Sequence, residues 1–131
     1  MTVRWGVIGT GGIARSFVGD CTAAGIVFTA AGSRTREHAE AFAAEFGIER
    51  AHGSYEDLVA DDDVDAVYVA TPHVRHAEDA LLAIRAGKHV LVEKAFTMTA
   101  AEARTVVDAA RQAGVAVMEA MWTRFLPQMA M

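Results

Sequence analysis

The sequence is poor in the residues that cross-link or kink a chain. Among its 131 residues are one cysteine, Cys21, and two prolines, and only 8% are aromatic. A single cysteine permits no intrachain disulfide, which argues against a disulfide-stapled extracellular scaffold and favours a cytoplasmic protein. No segment approaches the roughly 20 consecutive apolar residues of a membrane span. Because the first predicted strand begins at residue 3, we also expect no signal peptide.

Positive charge is scarce as well. Twelve Lys and Arg residues stand against 17 Asp and Glu residues, which gives a formal net charge of −5. Nucleic acids and anionic membranes bind basic surfaces, so we expect neither as a partner. Apolar residues are abundant at 53%, and charged residues make up 22%. This balance is typical of one soluble domain with a sizeable core.

Strand and helix signals alternate along the whole chain. Apolar runs predict strands at 3–9, 26–31, 49–52, 65–70, 89–93 and 115–119. Between them, apolar residues at helical spacing predict helices, with Ser54 and Thr99 as N-caps and glycines as terminators. Such alternation produces right-handed βαβ crossovers. The expected fold is α/β, with a doubly wound parallel sheet whose ligand binds at the carboxyl ends of the strands.

The most informative motif is GTGGIA at residues 9–14, between the first predicted strand and the first helix. The pattern G-x-G-x-x-A in this context is typical of dinucleotide-binding sites. Gly9 permits the sharp turn, Gly11 lets the backbone approach a pyrophosphate, and Ala14 lets the helix pack closely on the sheet. The helix N-terminus attracts phosphate. We expect cofactor contacts from Gly9, Gly11, Gly12 and Ile13; the alternative is a purely structural turn.

The end of the second strand indicates which dinucleotide binds. Sites for NAD usually carry an acid about 20 residues past the glycines, which bonds the ribose 2′-hydroxyl. Here residues 32–36 read GSRTR, without an acid. A hydroxyl and a guanidinium suit a 2′-phosphate, so we expect Ser33 and Arg34 to favour NADP over NAD, with Arg36 or His38 in support. The alternative is that Ser33 only caps the next helix and the arginines are solvated.

Three further motifs follow the later strands. They are Thr71-Pro72-His73 with His76, then Glu93-Lys94-Ala95, and then the segment EAMWTRFLP at residues 119–127. In this order they resemble the N-terminal half of the glucose–fructose oxidoreductase and inositol dehydrogenase family, also called Gfo/Idh/MocA. The segment 119–127 is most similar to that of the dihydrodiol-dehydrogenase-like members. The resemblance covers essentially the whole chain.

The resemblance implies a Rossmann domain followed by a larger α/β domain. It implies hydride transfer between NAD(P) and a hydroxyl or carbonyl carbon of a sugar, cyclitol or diol. By resemblance, Lys94 is the catalytic lysine beside the nicotinamide, and Glu93 lies near the nicotinamide ribose. The resemblance also places Thr71, Pro72, His73 and His76 along the cofactor groove.

Lys94 has a chemical role that suits this reaction. Its ammonium can bond the substrate oxygen and stabilise developing alkoxide charge. The alternative is a solvated lysine paired with Glu93. The sequence departs from the family at Ala95, where proline is usual.

His73 and His76, with Asp79, have a spacing that could suggest a metal site. Residues spaced only by three, without a spacing of four, do not stay on one face of a helix. Neither a cysteine nor a third histidine supports the site. We therefore predict that the chain binds no metal. The alternative for both histidines is a loop or cap position without any ligand.

The expected domain organisation leaves two functions open. We expect residues 1–119 to form the dinucleotide-binding domain and 120–131 to begin the segment leading to a second domain that this chain lacks. Hydride transfer needs a substrate held against the nicotinamide without water, so a sugar or polyol binds only if a second domain is supplied. The chain is then the cofactor domain of an oxidoreductase, or a stand-alone NADP-binding module that acts as a partner or regulatory subunit.

The end of the sequence carries an apolar stripe if that segment is helical, although we expect Pro127 to interrupt it. The alternative is that this segment folds back onto its own sheet or is disordered. An exposed apolar patch usually marks an interface, so we expect a homodimer or higher oligomer. The stripe consists of Met118, Met121, Trp122, Phe125 and Met129.

Overall fold

The computed structural model describes residues 2–130, and it confirms an α/β fold. The strands are β1 (Trp5–Ile8), β2 (Phe28–Gly32), β3 (Arg50–His52), β4 (Ala66–Val69), β5 (His89–Glu93) and β6 (Val117–Ala120). The helices are α1 (Gly12–Ala23), α2 (Arg36–Phe46), α3 (Tyr55–Val59), α4 (His76–Arg85) and α5 (Ala100–Ala113). Short 3-10 turns occupy His73–Arg75, Trp122–Phe125 and Pro127–Ala130.

All neighbouring strands pair in parallel, in the order β3-β2-β1-β4-β5-β6. The chain first builds outward from β1 to β3 and then returns to the other side of β1 to add β4. The order therefore reverses between β1 and β4. In open α/β sheets the carboxyl end of such a switch point forms a crevice that binds ligands. The predicted glycine motif directly follows β1.

Side chains of successive strand residues enter two separate cores, because they alternate between the faces of the sheet. Val7 and Tyr68 are fully buried with Val18 and Phe42 on the face covered by α1 and α2. Ile8 belongs to the opposite core, which α3, α4 and α5 cover. Burying each large apolar side chain contributes about 1.5–3 kcal/mol.

The first strand is predicted from residue 3 and begins at Trp5, and two other strands begin two residues later than expected because their first residues close the preceding helix. The predicted strand 26–31 starts at Phe28, and the Ile26 N–H instead donates to Cys21 O at 2.9 Å. The predicted strand 115–119 starts at Val117, and the Val115 N–H donates to Ala110 O at 3.1 Å. Helix ends leave carbonyl groups that need such partners.

The predicted N-caps are confirmed in the structure. The Ser54 hydroxyl accepts from the Asp57 N–H at 3.1 Å, and the Thr99 hydroxyl accepts from the Glu102 N–H at 3.1 Å. The Glu102 carboxylate accepts from the Met98 N–H at 3.0 Å. In a standard capping box the carboxylate bonds the N–H of the cap residue itself, but here it bonds the N–H of the residue before the cap.

The segment after β6 forms two 3-10 turns that Leu126 separates, so its apolar residues do not form one helical stripe. Pro127 begins the second turn, a position where proline loses no hydrogen bond. Trp122, Phe125 and Met129 remain 66%, 68% and 62% exposed. Across residues 2–130, every helix is too short or too polar to cross a lipid bilayer.

Candidate functional site

An open cavity of about 820 Å³ lies at the carboxyl ends of β1, β2 and β4, at the switch point of the sheet. The β1–α1 turn contributes Gly9, Thr10, Gly11 and Ile13 to its lining; the β2–α2 loop contributes Ser33, Arg34, Thr35 and His38; the remaining residues are Tyr55, Ala70, Thr71, Pro72, His73 and Arg75. Most residues of the predicted cofactor site therefore face one space. Gly12, His76, Glu93 and Lys94 do not line this cavity.

The first two glycines of the β1–α1 turn, Gly9 and Gly11, have different structural requirements. Gly9 has a φ of +94°, and a Cβ there would lie 2.7 Å from the Ala70 carbonyl oxygen. Only glycine fits such a position without strain. Gly11 is the N-cap of α1, and a Cβ there would meet no atom within 4 Å. The space in front of Gly11 belongs to the cavity.

The N-terminus of α1 suits an anion. Gly11 offers no side-chain cap, and the first turn, which Gly12 begins, contains no acid. The first N–H groups of a helix lack partners within the helix, and the helix dipole adds positive potential there. A pyrophosphate at the turn would therefore meet donors that no side chain blocks.

The β2–α2 loop presents a hydroxyl and a guanidinium to the same cavity. Ser33 is 6% exposed, and Arg34 is exposed without an ion-pair partner among residues 2–130. Helix α2 is capped by Thr35, whose hydroxyl accepts from the His38 N–H at 3.3 Å. The alternative in which Ser33 caps the helix is therefore wrong.

The two residues expected to support Arg34 differ in position. His38 lines the cavity, whereas Arg36 does not. Arg36 lies 3.5 Å from the Glu40 carboxylate and donates to the Ala51 carbonyl oxygen at 3.4 Å. Within the described part of the chain, no carboxylate lines the cavity, so nothing there repels a phosphate.

A buried network lies behind the loop that follows β4. The Thr71 hydroxyl donates to the Asp79 carboxylate at 2.7 Å, and both residues are buried. His76 is fully buried, with Nε2 2.9 Å from the Thr71 carbonyl oxygen and Nδ1 2.7 Å from the Ala95 carbonyl oxygen. His76 thus connects the loop after β4 to the loop after β5 instead of lining the groove.

His73 of the T-P-H motif and His76 lie close together, with ring centroids 5.3 Å apart. His73 faces the cavity, whereas both ring nitrogens of His76 face carbonyl oxygens. A ring nitrogen in such a contact has no free lone pair for a metal. Residues 2–130 contain no group of three or more His, Cys, Asp or Glu residues that could hold a metal ion.

A second cavity, of about 570 Å³, shares Ile13 with the first. Its apolar lining consists of Ile13, Phe17, Leu91, Met118, Ala120, Met121, Trp122 and Phe125, and its polar lining of Ser16, Asp20, Glu93 and Glu119. It lies on the face of the sheet that α1 covers, beside β5 and β6, where Leu91 is half-buried and Met118 is 50% exposed.

Glu93 occupies a fixed position in the second cavity. Its Oε1 accepts from the Tyr68 hydroxyl at 2.9 Å, and its Oε2 accepts from the Lys94 N–H at 2.9 Å. Burial raises the pKa of Tyr68, and the hydrogen bond to Glu93 raises it further, so the hydroxyl keeps its proton and donates. Phe17 stacks on Tyr68 with ring centroids 4.1 Å apart.

Lys94 follows Glu93 directly and is exposed. Among the described residues, its ammonium has no ion-pair partner, and Glu93 contacts only its backbone N–H. The alternative role of Lys94, a solvated lysine paired with Glu93, therefore does not match the structure, which contains no Lys94–Glu93 ion pair. The Lys94–Ala95 peptide bond is cis, and the Phe96 N–H donates to Glu119 at 2.8 Å, which ties the loop to β6.

Sequence reasoning missed two large side chains of the first cavity, Tyr55 and Arg75. Tyr55 begins α3 directly after its N-cap Ser54, and Arg75 follows the T-P-H motif by two residues. Tyr55 follows β3 and Arg75 follows β4, so both lie near the carboxyl ends of parallel strands, a position that could have drawn attention to them. Their mutual contact depends on how α3 and α4 pack, which the sequence pattern does not contain.

The comparisons with known proteins agree with this geometry. The Gfo/Idh/MocA family model, an oxidoreductase family with an NAD-binding Rossmann fold, matches residues 3–121. D-xylose 1-dehydrogenase (NADP(+)) from Hypocrea jecorina is 41% identical over 96% of this chain and 36% of its own length. Trans-1,2-dihydrobenzene-1,2-diol dehydrogenase from Mus musculus is 42% identical over 98% of this chain and 40% of its own length.

A similar solved structure contains a bound dinucleotide. It is a 3-ketoreductase from Actinomadura kijaniata in complex with TDP-benzene and NADP, with a TM-score of 0.92 and 38% identity. The match covers 98% of this chain and 41% of the ketoreductase. The chain thus spans less than half the length of the xylose dehydrogenase, the dihydrodiol dehydrogenase and the ketoreductase.

Proposed function

Because the chain belongs to the Gfo/Idh/MocA family of oxidoreductases, we propose that it is the NADP-binding part of an enzyme that transfers hydride to or from a hydroxyl or carbonyl carbon. The observation that carries the proposal is the acid-free cavity at the switch point. It combines the glycine turn at Gly9 and Gly11 with Ser33 and Arg34.

NADP is the cofactor that this lining suits best. The N–H groups at the start of α1 would hold the pyrophosphate, with Gly12 and Ile13 completing the turn. The Ser33 hydroxyl and the Arg34 guanidinium would bind the 2′-phosphate. Thr71, Pro72 and His73 would line the groove between the adenosine and nicotinamide ends. The NADP(+) in the Hypocrea enzyme's name and the NADP in the ketoreductase complex support the same choice.

The nicotinamide end points toward the second cavity in this proposal, because Ile13 belongs to both spaces. When bound, the nicotinamide supplies or accepts the hydride. Glu93, fixed by Tyr68, would bond the nicotinamide ribose. Lys94, whose ammonium pairs with no carboxylate within residues 2–130, would bond the reacting oxygen of the substrate and donate or receive its proton. His76, which does not line the cavity, would hold the loop after β4 and the loop after β5 together.

We assign residues 1–119 to the dinucleotide-binding domain and residues 120–131 to the start of a connection to a second, substrate-binding domain. The uncovered second cavity supports this division, because its apolar walls are half-exposed on the sheet face beside β5 and β6. A sugar, cyclitol or diol is the proposed substrate, in keeping with the xylose and dihydrodiol dehydrogenases among the relatives. A cytoplasmic location and self-association through the exposed residues 118–129 complete the proposal.

The test is a calorimetric titration of the 131-residue chain with NADPH and NADH, beside an assay of NADP reduction with a panel of sugars, cyclitols and diols. The expected result is tighter binding of NADPH. Turnover that Lys94→Ala abolishes, with NADPH affinity unchanged, would establish the oxidoreductase. Binding without turnover would fit both the cofactor-binding part of a larger enzyme and the stand-alone module, and absence of binding would refute the proposed function.

A further inference from the structure

Arg75 is held in one orientation at the edge of the first cavity. It ends the 3-10 turn after β4, and its Nη2 donates to Asp79 Oδ1 at 2.8 Å while its Nε donates to Asp79 Oδ2 at 3.3 Å. Asp79 is fully buried and also accepts from the Thr71 hydroxyl at 2.7 Å. A two-point bond to a buried carboxylate fixes the plane of the guanidinium.

Tyr55 packs against that guanidinium. The Arg75 Cζ lies 5.6 Å from the centroid of the Tyr55 ring, within the range of a cation–π contact. Tyr55 is 8% exposed and begins α3, whose N-cap Ser54 fixes the first turn. Burial raises the pKa of the Tyr55 hydroxyl, and the Asp79 charge raises it further, so the ring stays neutral. Both Tyr55 and Arg75 line the first cavity.

We propose that Arg75, supported by Tyr55 and Asp79, is the surface on which the adenine base of the dinucleotide stacks. The inference rests on the proposed function. The pyrophosphate is assigned to the turn at Gly11 and the 2′-phosphate to Arg34, so the base lies in the remaining part of the same cavity. A guanidinium stacks on aromatic rings through its flat face.

The charge of Arg75 explains why it takes the base and not the 2′-phosphate. Asp79 already pairs with Arg75, and Glu78 lies 3.6 Å from its Nη1. Arg34, in contrast, has no ion-pair partner among residues 2–130. A guanidinium neutralised by two carboxylates attracts a phosphate weakly, but it keeps its planar face for stacking.

The two arginines are therefore expected to have different signatures. Adenine is common to NADPH and NADH, so loss of the Arg75 surface weakens both cofactors by the same factor. The 2′-phosphate belongs to NADPH alone, so loss of Arg34 changes the ratio between the two affinities. Arg75→Lys is the informative variant because it leaves a cation beside Asp79 and removes only the planar group.

The experiment titrates the 131-residue chain, Arg75→Lys and the control Arg34→Ala with NADPH and NADH, after circular dichroism has shown that each is folded. Arg75→Lys is expected to weaken both cofactors by about 3- to 30-fold and to leave their ratio unchanged. Saturation-transfer NMR on bound NADP supplies a second readout. The signals of the adenine H2 and H8 protons are expected to fall relative to the nicotinamide protons in Arg75→Lys, but not in Arg34→Ala.

Three results would overturn the inference in distinguishable ways. Unchanged affinities in Arg75→Lys would show that the guanidinium does not contact the base. Loss of affinity for NADPH alone would show that Arg75 binds the 2′-phosphate. If both affinities fell but the ratio of adenine to nicotinamide signals in the NMR experiment stayed the same, the substitution would only have loosened the loop. If the unsubstituted chain bound neither dinucleotide, the proposed function itself would fail and this inference with it.

Discussion

The Nδ1 atom of His76 lies 2.7 Å from the backbone carbonyl oxygen of Ala95, in the loop that carries Lys94. On its other side, His76 Nε2 lies 2.9 Å from the carbonyl oxygen of Thr71. One fully buried ring thus joins the carboxyl ends of β4 and β5. The loop assigned to the groove and the loop assigned to catalysis are held together by this side chain.

We expect His76→Leu to lower the free energy of unfolding by about 2–4 kcal/mol, because the buried carbonyl group of Thr71 and the partly buried carbonyl group of Ala95 both lose their bond to the ring. The measurement is urea unfolding followed by circular dichroism. His73→Leu is the matched control: His73 is exposed, so the change there is expected within about 0.5 kcal/mol. Equal effects of the two substitutions would contradict the bridging role.

Arg34→Ala is expected to remove most of the preference for NADPH. A charge-assisted hydrogen bond contributes about 1.5–3 kcal/mol, which corresponds to a loss of about 10- to 150-fold in NADPH affinity. NADH affinity is expected to stay nearly constant, because NADH has no 2′-phosphate. Calorimetry on both cofactors measures the ratio. Arg36→Ala is the control, since Arg36 lies outside the cavity and pairs with Glu40; an equal effect there would argue for general electrostatic attraction.

Gly11→Val is expected to abolish binding of both cofactors while the chain stays folded. A Cβ at Gly11 meets no atom within 4 Å, so the side chain fits the protein but occupies the space assigned to the pyrophosphate. Gly9→Ala provides the contrast. Its Cβ would lie 2.7 Å from the Ala70 carbonyl oxygen, so that variant is expected to lose stability instead. Fluorescence titration and thermal unfolding separate the two outcomes, and unchanged cofactor affinity in Gly11→Val would mean that the motif is only a structural turn.

The sequence predicted the fold and the class of ligand because both depend on local patterns. Alternating strand and helix signals determine a parallel doubly wound sheet, and the GTGGIA turn follows the first strand whatever packs around it. Even the N-caps Ser54 and Thr99 are local, since each bonds an N–H three residues further on.

The rest of the site depends on contacts between distant residues. Tyr68 meets Glu93 only because β4 and β5 are neighbours in one register, and Tyr55 meets Arg75 only because α3 packs beside α4. The sequence predicts His76 in the cofactor groove, but in the structure its side chain is buried and contacts two backbone carbonyl oxygens. The N-cap of α2 falls on Thr35 and not on Ser33, so the Ser33 hydroxyl is not used to cap the helix.

Stability is expected to fall between about pH 4 and pH 2, partly through Asp61. Burial raises the pKa of Asp61, but bonds from the Asp63 N–H, His52 and Arg50 together lower it to about 2. A carboxyl whose folded pKa is depressed stabilises the fold above its unfolded value, and this contribution disappears as the pH falls through the folded pKa. Asp61→Asn is therefore expected to be less stable at pH 6 and to lose less stability on acidification.

Urea unfolding at pH 6, 4 and 2.5 measures this dependence. Asp62→Asn serves as the control, because the Asp62 side chain is exposed and makes none of these bonds. An acid dependence in Asp61→Asn as steep as in the unsubstituted chain would show that other carboxylates dominate, with Asp65 the first candidate. Hydrogen bonds from the Arg4 side chain and backbone lower the pKa of Asp65 to about 2.

The 131-residue chain is expected to self-associate through the exposed apolar residues that follow β6. Trp122, Phe125 and Met129 are 66%, 68% and 62% exposed, and the first two line the uncovered second cavity. Covering such a surface removes apolar area from water, which contributes about 25 cal/mol per Å².

Multi-angle light scattering is expected to give a dimer or higher oligomer at micromolar concentration. A chain that ends at Glu119, or one with both Trp122→Ser and Phe125→Ser, is expected to be monomeric. Because the double variant keeps the full length, it separates loss of apolar surface from loss of the segment. A monodisperse monomer for the unsubstituted chain would refute self-association and would leave the second cavity free for the proposed substrate-binding domain.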